Sequence, residues 1–120
     1  MKIEEFYAAV GGDYEGVMSR LMNEAMIGRF ILKFLDDSSY DNLKTALLNE
    51  DYKEAFRAAH TLKGVSQNLG FTKLYEADAE LTGRLRGAQD GGTVDTEGFD
   101  VLLEKITEEY NKTVNAIKAI

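Results

Sequence analysis

The chain of 120 residues carries 14 basic and 21 acidic residues, a formal net charge of −7 at pH 7, and 44% of it is hydrophobic. This composition is typical of one compact globular domain, and the acidic balance disfavours binding to nucleic acid or to an anionic membrane surface. The absence of cysteine excludes disulfides and thiolate chemistry, and a single histidine, His60, excludes a multi-histidine metal site.

The first part of the chain is predicted to form two short helices and then a longer one. The spacing of Ile3 to Val10 predicts a helix that stops at Gly11-Gly12, and Asp13 is a suitable N-cap for the second. Asn23 predicts the start of a longer helix that continues to about Asn49. Its apolar residues form two series, Ile27, Phe30, Ile31 and Phe34, and then Tyr40, Leu43 and Leu47. Because the apolar stripe changes phase at residues 36–39, we expect one long helix with a kink or short break there.

A second long helix is predicted after Asp51. Asp51 and Glu54 resemble a capping box, and the stripe that follows has i, i+3, i+4, i+7 spacing: Tyr52, Ala55, Phe56, Ala59, Leu62, Ser66 and Leu69. Gly70 ends this helix, since glycine is preferred just after a helix C-terminus.

Two more helices and one linker complete the chain. One helix runs from about Phe71 to Arg86, the linker covers Gly87 to Thr93, and the last helix begins at about Thr96. Short connections make consecutive helices antiparallel neighbours. We therefore predict one all-α domain over residues 1–120, in which short N-terminal helices at about 3–21 precede an antiparallel up-down-up-down four-helix bundle at about 23–119.

Targeting and membrane-spanning segments are not expected. The N-terminus is acidic and lacks the apolar stretch of a signal peptide, and no run of about 18 apolar residues occurs. We expect a soluble, cytoplasmic protein.

His60 is predicted to face solvent, because on a helical wheel it lies roughly 130° from the centre of the apolar stripe. Lys63 and Gly64 at i+3 and i+4, and Gln67 at i+7, line up with it along one side of the helix.

An exposed histidine can be without function. Alternatively, a histidine, with an ordinary pKa of about 6.5, is nucleophilic at neutral pH without an activating base. Lys63 then supplies a cationic donor for an anionic group on the ring. Gly64, which costs roughly 0.5–1 kcal/mol in a helix, leaves clearance for another protein's backbone. The exposed imidazole, the nearby ammonium and the glycine together predict that His60 accepts a phosphoryl group.

The run FRAAHTLKGVSQNLGF, from Phe56 to Phe71, resembles the histidine phosphotransfer (HPt) domain family, whose pattern is A-H-x-L-K-G followed by L-G. Ala59, Leu62, Leu69 and Gly70 stand at the expected offsets, and the resemblance extends from about Asn23 to the last helix.

The resemblance implies that His60 is transiently phosphorylated and exchanges the phosphoryl group with an aspartate of a receiver domain. Lys63 would help to neutralise the phosphoryl charge, and Gly64 would leave room for the partner's active-site loops. Some members hold the imidazole with a glutamine on the following helix. The matching position here is Thr82, which is shorter, so Gln67 is a candidate for orienting the imidazole.

The resemblance also implies the chemistry that the chain leaves to its partners. We expect a phosphocarrier and not an enzyme, since no nucleotide-binding or kinase motif is present. It should need no cofactor or metal of its own, and Mg²⁺ is expected in the acidic pocket of the receiver. The expected partners of this monomer are a response-regulator receiver domain and a histidine kinase, with neither nucleic acid nor membrane. Lys53 and Arg57, on the outward side of the same helix, either meet acidic receiver residues or form a solvated face.

Two rival functions remain open at this point. One is a non-catalytic helical-bundle interaction module that binds a partner without carrying phosphate. The other is the phosphoacceptor fragment of a chemotaxis-type kinase, which would require further domains for ATP binding and dimerisation.

Overall fold

The computed structural model describes residues 1–120 and is all-helical, as the sequence predicts. It contains seven α-helices, which are α1 Ile3–Val10, α2 Tyr14–Leu21, α3 Glu24–Lys33, α4 Ser39–Leu48, α5 Tyr52–Asn68, α6 Thr72–Leu85 and α7 Phe99–Lys118. Two 3-10 turns, at Phe34–Asp36 and Arg86–Asp90, follow α3 and α6. None of the helices combines the length and the apolar character that crossing a membrane requires.

Three predicted helix starts are confirmed by their capping hydrogen bonds. The side chains of Asp13, Asn23 and Asp51 each accept a hydrogen bond from a backbone N–H three residues further on, over distances of 3.0, 3.0 and 3.2 Å. Such caps satisfy donors that the first turn of a helix leaves unpaired. Gly70 ends α5 as predicted. It has φ +71°, and a Cβ there would collide with Val17 of α2.

The predicted break in the long helix from Asn23 to about Asn49 is confirmed, and it divides the segment into two separate helices. α3 ends at Lys33, and α4 begins at Ser39 after the 3-10 turn. The break falls where the apolar stripe changes phase, because the carboxylate of Asp37 accepts a hydrogen bond from the Ser39 N–H at 2.9 Å and so starts a new helix. Phe30, which was expected on the apolar face, is 39% exposed.

The linker before α7 also differs from its prediction. Residues 86–90 form a 3-10 turn in which Ala88 is buried, and α7 begins at Phe99 instead of about Thr96. Arg84 of α6 donates a hydrogen bond of 2.8 Å to the backbone oxygen of Asp95 and another to that of Glu97. These contacts hold the segment in a non-helical course up to Gly98, whose φ is +79°.

The core is centred on α4, α5, α6 and α7, which pack against one another in that order along the chain, and α1, α2 and α3 each add buried apolar side chains to it. α5 contributes its predicted stripe, which is buried except for the half-buried Tyr52: Ala55, Phe56, Ala59, Leu62, Ser66 and Leu69. α1 packs against α7 and is tied to the end of α5 by the Tyr7 hydroxyl, which donates a buried hydrogen bond of 2.6 Å to the backbone oxygen of Leu69. These contacts fix the position of α5 in the bundle and leave its outward side facing solvent.

Candidate functional site

His60 lies on the outward side of α5, as the helical wheel predicts, and its side chain is exposed. Its imidazole leans on the buried ring of Phe56, one turn earlier, with the ring centroids 5.7 Å apart and the planes at 42°. None of the side-chain hydrogen bonds along α5 involves the imidazole. Both ring nitrogens are therefore available to a group that approaches from solvent.

The imidazole borders a shallow depression of about 400 Å³ between α5 and the 3-10 turn after α6. Its lining consists of Lys53, Phe56, Arg57, His60, Thr61, Arg86 and Gln89. Three of these side chains are cationic and none is acidic, although the chain as a whole carries a net charge of −7. Such a concentration of positive charge beside an exposed nucleophile suits a small anion such as a phosphoryl group.

Arg86 is the residue of this depression that sequence reasoning missed as a functional candidate. Its guanidinium carbon lies 5.7 Å from the centroid of the Phe56 ring, within the range of a cation–π contact. One phenyl ring thus contacts both the imidazole of His60 and the guanidinium of Arg86. Arg86 is 26 residues away in sequence, and only the packing of α5 against α6 and the following turn brings it there.

Arg57 is only loosely engaged by another side chain. Its guanidinium is 3.4 Å from the carboxylate of Glu54, and both side chains are well exposed. An ion pair of this kind contributes little to stability, because solvent screens it. Arg57 can therefore turn to an incoming anion at little cost in free energy.

Lys63 is one helical turn from His60 along the backbone, but its ammonium group is directed elsewhere. The Nζ atom lies 6.0 Å from the centroid of the Tyr75 ring on α6, and Lys63 is not part of the lining around His60. The structure therefore does not bring the ammonium into the depression beside His60.

Gly64 stands in the middle of α5 without any steric requirement from the fold. A Cβ built at this position has no atom within 4 Å, so the space in front of it is open. Alanine would be favoured there by about 0.5–1 kcal/mol if helix stability alone mattered. The open space lies one turn from the imidazole, where a partner's backbone would approach.

Gln67 and Thr82 are both directed away from the imidazole. Gln67 lies about 10 Å further along the helix axis and lines a separate depression with Asp13, Arg20, Ser66, Gly70, Thr72 and Tyr75. Thr82 is buried on α6, and its hydroxyl contacts Asp78. A role of Gln67 in orienting His60 stays a prediction.

Asp78 is a second residue that the sequence interpretation did not single out. It is 0% exposed on α6, and its Oδ1 atom has no hydrogen-bond partner. Burial raises the pKa of this carboxyl from its usual value of 3.8 to about 7, against the opposing effects of the Thr82 hydroxyl and of the positive charge of Lys63. The burial of Asp78 could have been found from the sequence by its position, because it lies one turn from both Leu74 and Leu81 on the buried face of α6.

Comparison with protein families returned one match, in which the model described as Hpt domain covers residues 33–113. The matched segment contains His60 and every residue that lines the depression around it. Neither the curated proteins nor the solved structures gave a match.

Proposed function

The chain belongs to the Hpt domain family, whose members carry phosphoryl groups in phosphorelays and are not catalysts, and we propose on that premise that His60 is its phosphoacceptor. In this proposal the protein relays a phosphoryl group between His60 and the aspartate of a receiver domain in a two-component pathway. The observation that carries it is the exposed imidazole of His60 beside three cationic side chains, within the segment that the family model matches.

The transfer requires little from the carrier apart from a placed nucleophile. The lone pair of an unprotonated imidazole nitrogen attacks the phosphorus of the receiver's aspartyl phosphate, so that an N–P bond forms while the P–O bond to the aspartate breaks. The electron pair of the broken bond leaves with the aspartate carboxylate. The proton on the other ring nitrogen is lost to solvent, and the reverse steps return the group to a receiver. No cofactor of the chain enters these steps, and the Mg²⁺ is proposed to be the receiver's.

The cations around the depression support the charge of the bound group. Arg86 and Arg57 offer planar guanidinium groups that match phosphoryl oxygens, and Lys53 adds a third positive charge at the rim. The same side chains suit the acidic pocket of a receiver domain, so we assign them a second role in docking. Lys63 is proposed to join them after its side chain turns from Tyr75 towards His60.

Gly64 and the arrangement of helices support access by the partner. The open space in front of Gly64 accommodates backbone from the receiver that a larger residue would obstruct. The sequential packing of α4 to α7 supports an antiparallel up-down-up-down bundle, with α5 presenting His60 on its outer side. A histidine kinase is proposed as the source of the phosphoryl group upstream, and the chain is proposed to act as a monomer in the cytoplasm.

The proposal is tested by incubating the purified chain with a phosphorylated receiver domain. The expected product is phosphate on this chain that is lost in acid and stable in alkali, as a phosphoramidate is. His60→Ala should abolish the labelling and leave the helical circular dichroism unchanged, while Gln89→Ala, which changes the rim but not the nucleophile, should keep it. Labelling that persists in His60→Ala would overturn the assignment, and its absence from the unaltered chain with every receiver of the genome would favour the non-catalytic module.

A further inference from the structure

The ring of Phe56 is the contact that the structure shows for the imidazole of His60. The two ring centroids are 5.7 Å apart and the planes are inclined at 42°. The polar residues considered for holding the imidazole are engaged elsewhere, since the Thr82 hydroxyl contacts Asp78 and Gln67 lines a separate depression. The orientation of the nucleophile therefore depends on packing against an aromatic ring and not on a hydrogen bond.

Phe56 is a fixed surface for this contact, because its own side chain belongs to the core. It is 7% exposed, and it lies one turn before His60 on α5, where it lines the depression that His60 borders. An exposed histidine on a helix without such a neighbour has two favourable χ1 wells and two broad χ2 orientations, or about four arrangements. A ring against which the imidazole packs favours one of them over those that leave the ring uncovered.

The same ring also contacts a cation of the depression, Arg86. The guanidinium carbon lies 5.7 Å from the centroid of the Phe56 ring, and Arg86 belongs to the 3-10 turn that follows α6. A contact of this kind near the surface is weak enough to be exchanged for one with phosphoryl oxygens. Phe56 therefore keeps the nucleophile and a cation at one place while leaving the cation free to move to an anion.

A second ring of the chain has the same surroundings without a nucleophile. Phe99 is 8% exposed, and the guanidinium carbon of Arg84 lies 5.1 Å from the centroid of its ring. Its other aromatic neighbour is Tyr52, at 6.1 Å between ring centroids, and it does not line the depression at His60. Replacing Phe99 therefore removes a buried ring and a ring–arginine contact, as replacing Phe56 does, but leaves the imidazole untouched.

We propose, on the basis of the proposed function, that Phe56 is a positioning residue for phosphotransfer: its ring fixes the orientation in which the imidazole of His60 presents a nitrogen to the depression and holds Arg86 beside it. The rate of attack is proportional to the fraction of molecules in the reactive orientation. The ring raises that fraction from about one quarter towards one. It acts before the N–P bond forms, so it speeds phosphorylation without prolonging the lifetime of the product.

The first test measures the rate of phosphorylation and the lifetime of the phosphohistidine on the whole chain, with phosphoramidate as donor. An imidazole nitrogen of His60 attacks the phosphorus, the N–P bond forms while the P–N bond of phosphoramidate breaks, and the electron pair leaves with ammonia. We expect Phe56→Leu to slow phosphorylation by about two- to fourfold without shortening the lifetime. Phe99→Leu should leave the rate unchanged, and Phe56→Tyr, which keeps the ring, should retain it.

These variants separate positioning from two other roles. A purely structural role of the ring would slow Phe56→Leu and Phe99→Leu alike, and that result would overturn the proposal. A role in holding the phosphoryl group itself would shorten the lifetime in Phe56→Leu, and this outcome would overturn it too. So would a Phe56→Leu chain that is phosphorylated at the native rate, or a Phe56→Tyr chain that is as slow as Phe56→Leu.

A second test examines the ring contact in the unaltered chain without phosphorylation. In ¹H NMR we expect nuclear Overhauser effects between the ring protons of His60 and Phe56, and three-bond couplings of His60 that report one χ1 rotamer. Couplings averaged over several rotamers would overturn the proposal even if His60 carries phosphate. A single rotamer in a chain that phosphoramidate and receivers fail to label supports the ring contact and counts against the proposed function alone.

Discussion

Replacing Asp78 by Asn should stabilise the protein at neutral and alkaline pH but not in acid. Asp78 is buried, with one carboxylate oxygen unpartnered, and its pKa is raised from 3.8 to about 7. The charged form therefore has to be accommodated inside the fold above neutral pH, whereas in the unfolded chain it is solvated by water. An amide of nearly the same shape has no such charge.

The size of the effect follows from the two pKa values. Between the unfolded pKa of 3.8 and the folded value of about 7, the native state holds a proton that the unfolded state has released, so the free energy of unfolding falls as pH rises. Each pH unit in this interval costs about 1.4 kcal/mol, which gives a loss of about 4 kcal/mol across the interval. Above it both states are charged and no further loss occurs. Below it both are neutral, and the destabilisation is absent.

Urea unfolding followed by circular dichroism measures this directly. The free energies of unfolding of the native chain, Asp78→Asn and Glu80→Gln are compared from about pH 4 to about pH 8.5. The difference between Asp78→Asn and the native chain should grow by up to about 4 kcal/mol across this range, whereas that for the exposed Glu80 should stay nearly constant. A difference that is the same at every pH would show that Asp78 is charged in the folded state throughout, and would refute the reasoning.

Three other predictions concern the site and its support. Gly64→Ala should raise the free energy of unfolding by about 0.5–1 kcal/mol and yet slow transfer from a receiver. Gly83→Ala, an equally open glycine of α6, should stabilise in the same way without slowing transfer, and equal rates in both would contradict the access role. Arg86→Ala should shorten the lifetime of the phosphohistidine by about threefold or more, with phosphoramidate as donor, and an unchanged lifetime would remove Arg86 from the site. Tyr7→Phe should lower the free energy of unfolding in urea by about 1–2 kcal/mol, because the buried backbone oxygen of Leu69 loses its donor; an unchanged value would contradict this.

The part of the site on α5 could be predicted from the sequence because it follows from one helix. Periodicity places Phe56, Ala59 and Leu62 inward and His60 outward, and this depends only on the number of residues per turn. The two ends of α5 could be predicted equally well. Asp51 accepts a hydrogen bond from a backbone N–H of the first turn, and Gly70 adopts the positive φ that ends the helix, and both effects depend only on residues nearby in the sequence. The family match then confirmed the resemblance found in the motif.

The rest of the site depends on contacts between helices, which periodicity does not describe. Arg86 was expected at the end of a helix and next to a linker, and its contact with Phe56 arises only from the packing of α5 with the segment after α6. Asp78 and Thr82 lie on the buried face of α6, but a propensity argument treats Asp as a surface residue. Lys63 was expected beside His60 because it is one turn away, yet a long side chain also reaches the neighbouring helix.

A carrier that has to both accept and release a phosphoryl group works best when no single interaction holds that group tightly. Two of the three cations beside His60 fit this requirement, because Arg57 and Arg86 each have another engagement in the unmodified protein. Arg57 pairs with Glu54, and Arg86 lies against Phe56. Lys63, one turn away, is likewise directed to Tyr75 of α6. Each contact to phosphate therefore replaces an existing one, and the net gain in free energy is smaller than a free cation would give.

If this reasoning is right, Glu54→Gln should lengthen the lifetime of the phosphohistidine by freeing Arg57. The lengthening should be less than about threefold, because the exposed pair at Glu54 is already screened by water. A lifetime that is unchanged in Glu54→Gln would show that Glu54 does not compete with the phosphoryl group for Arg57.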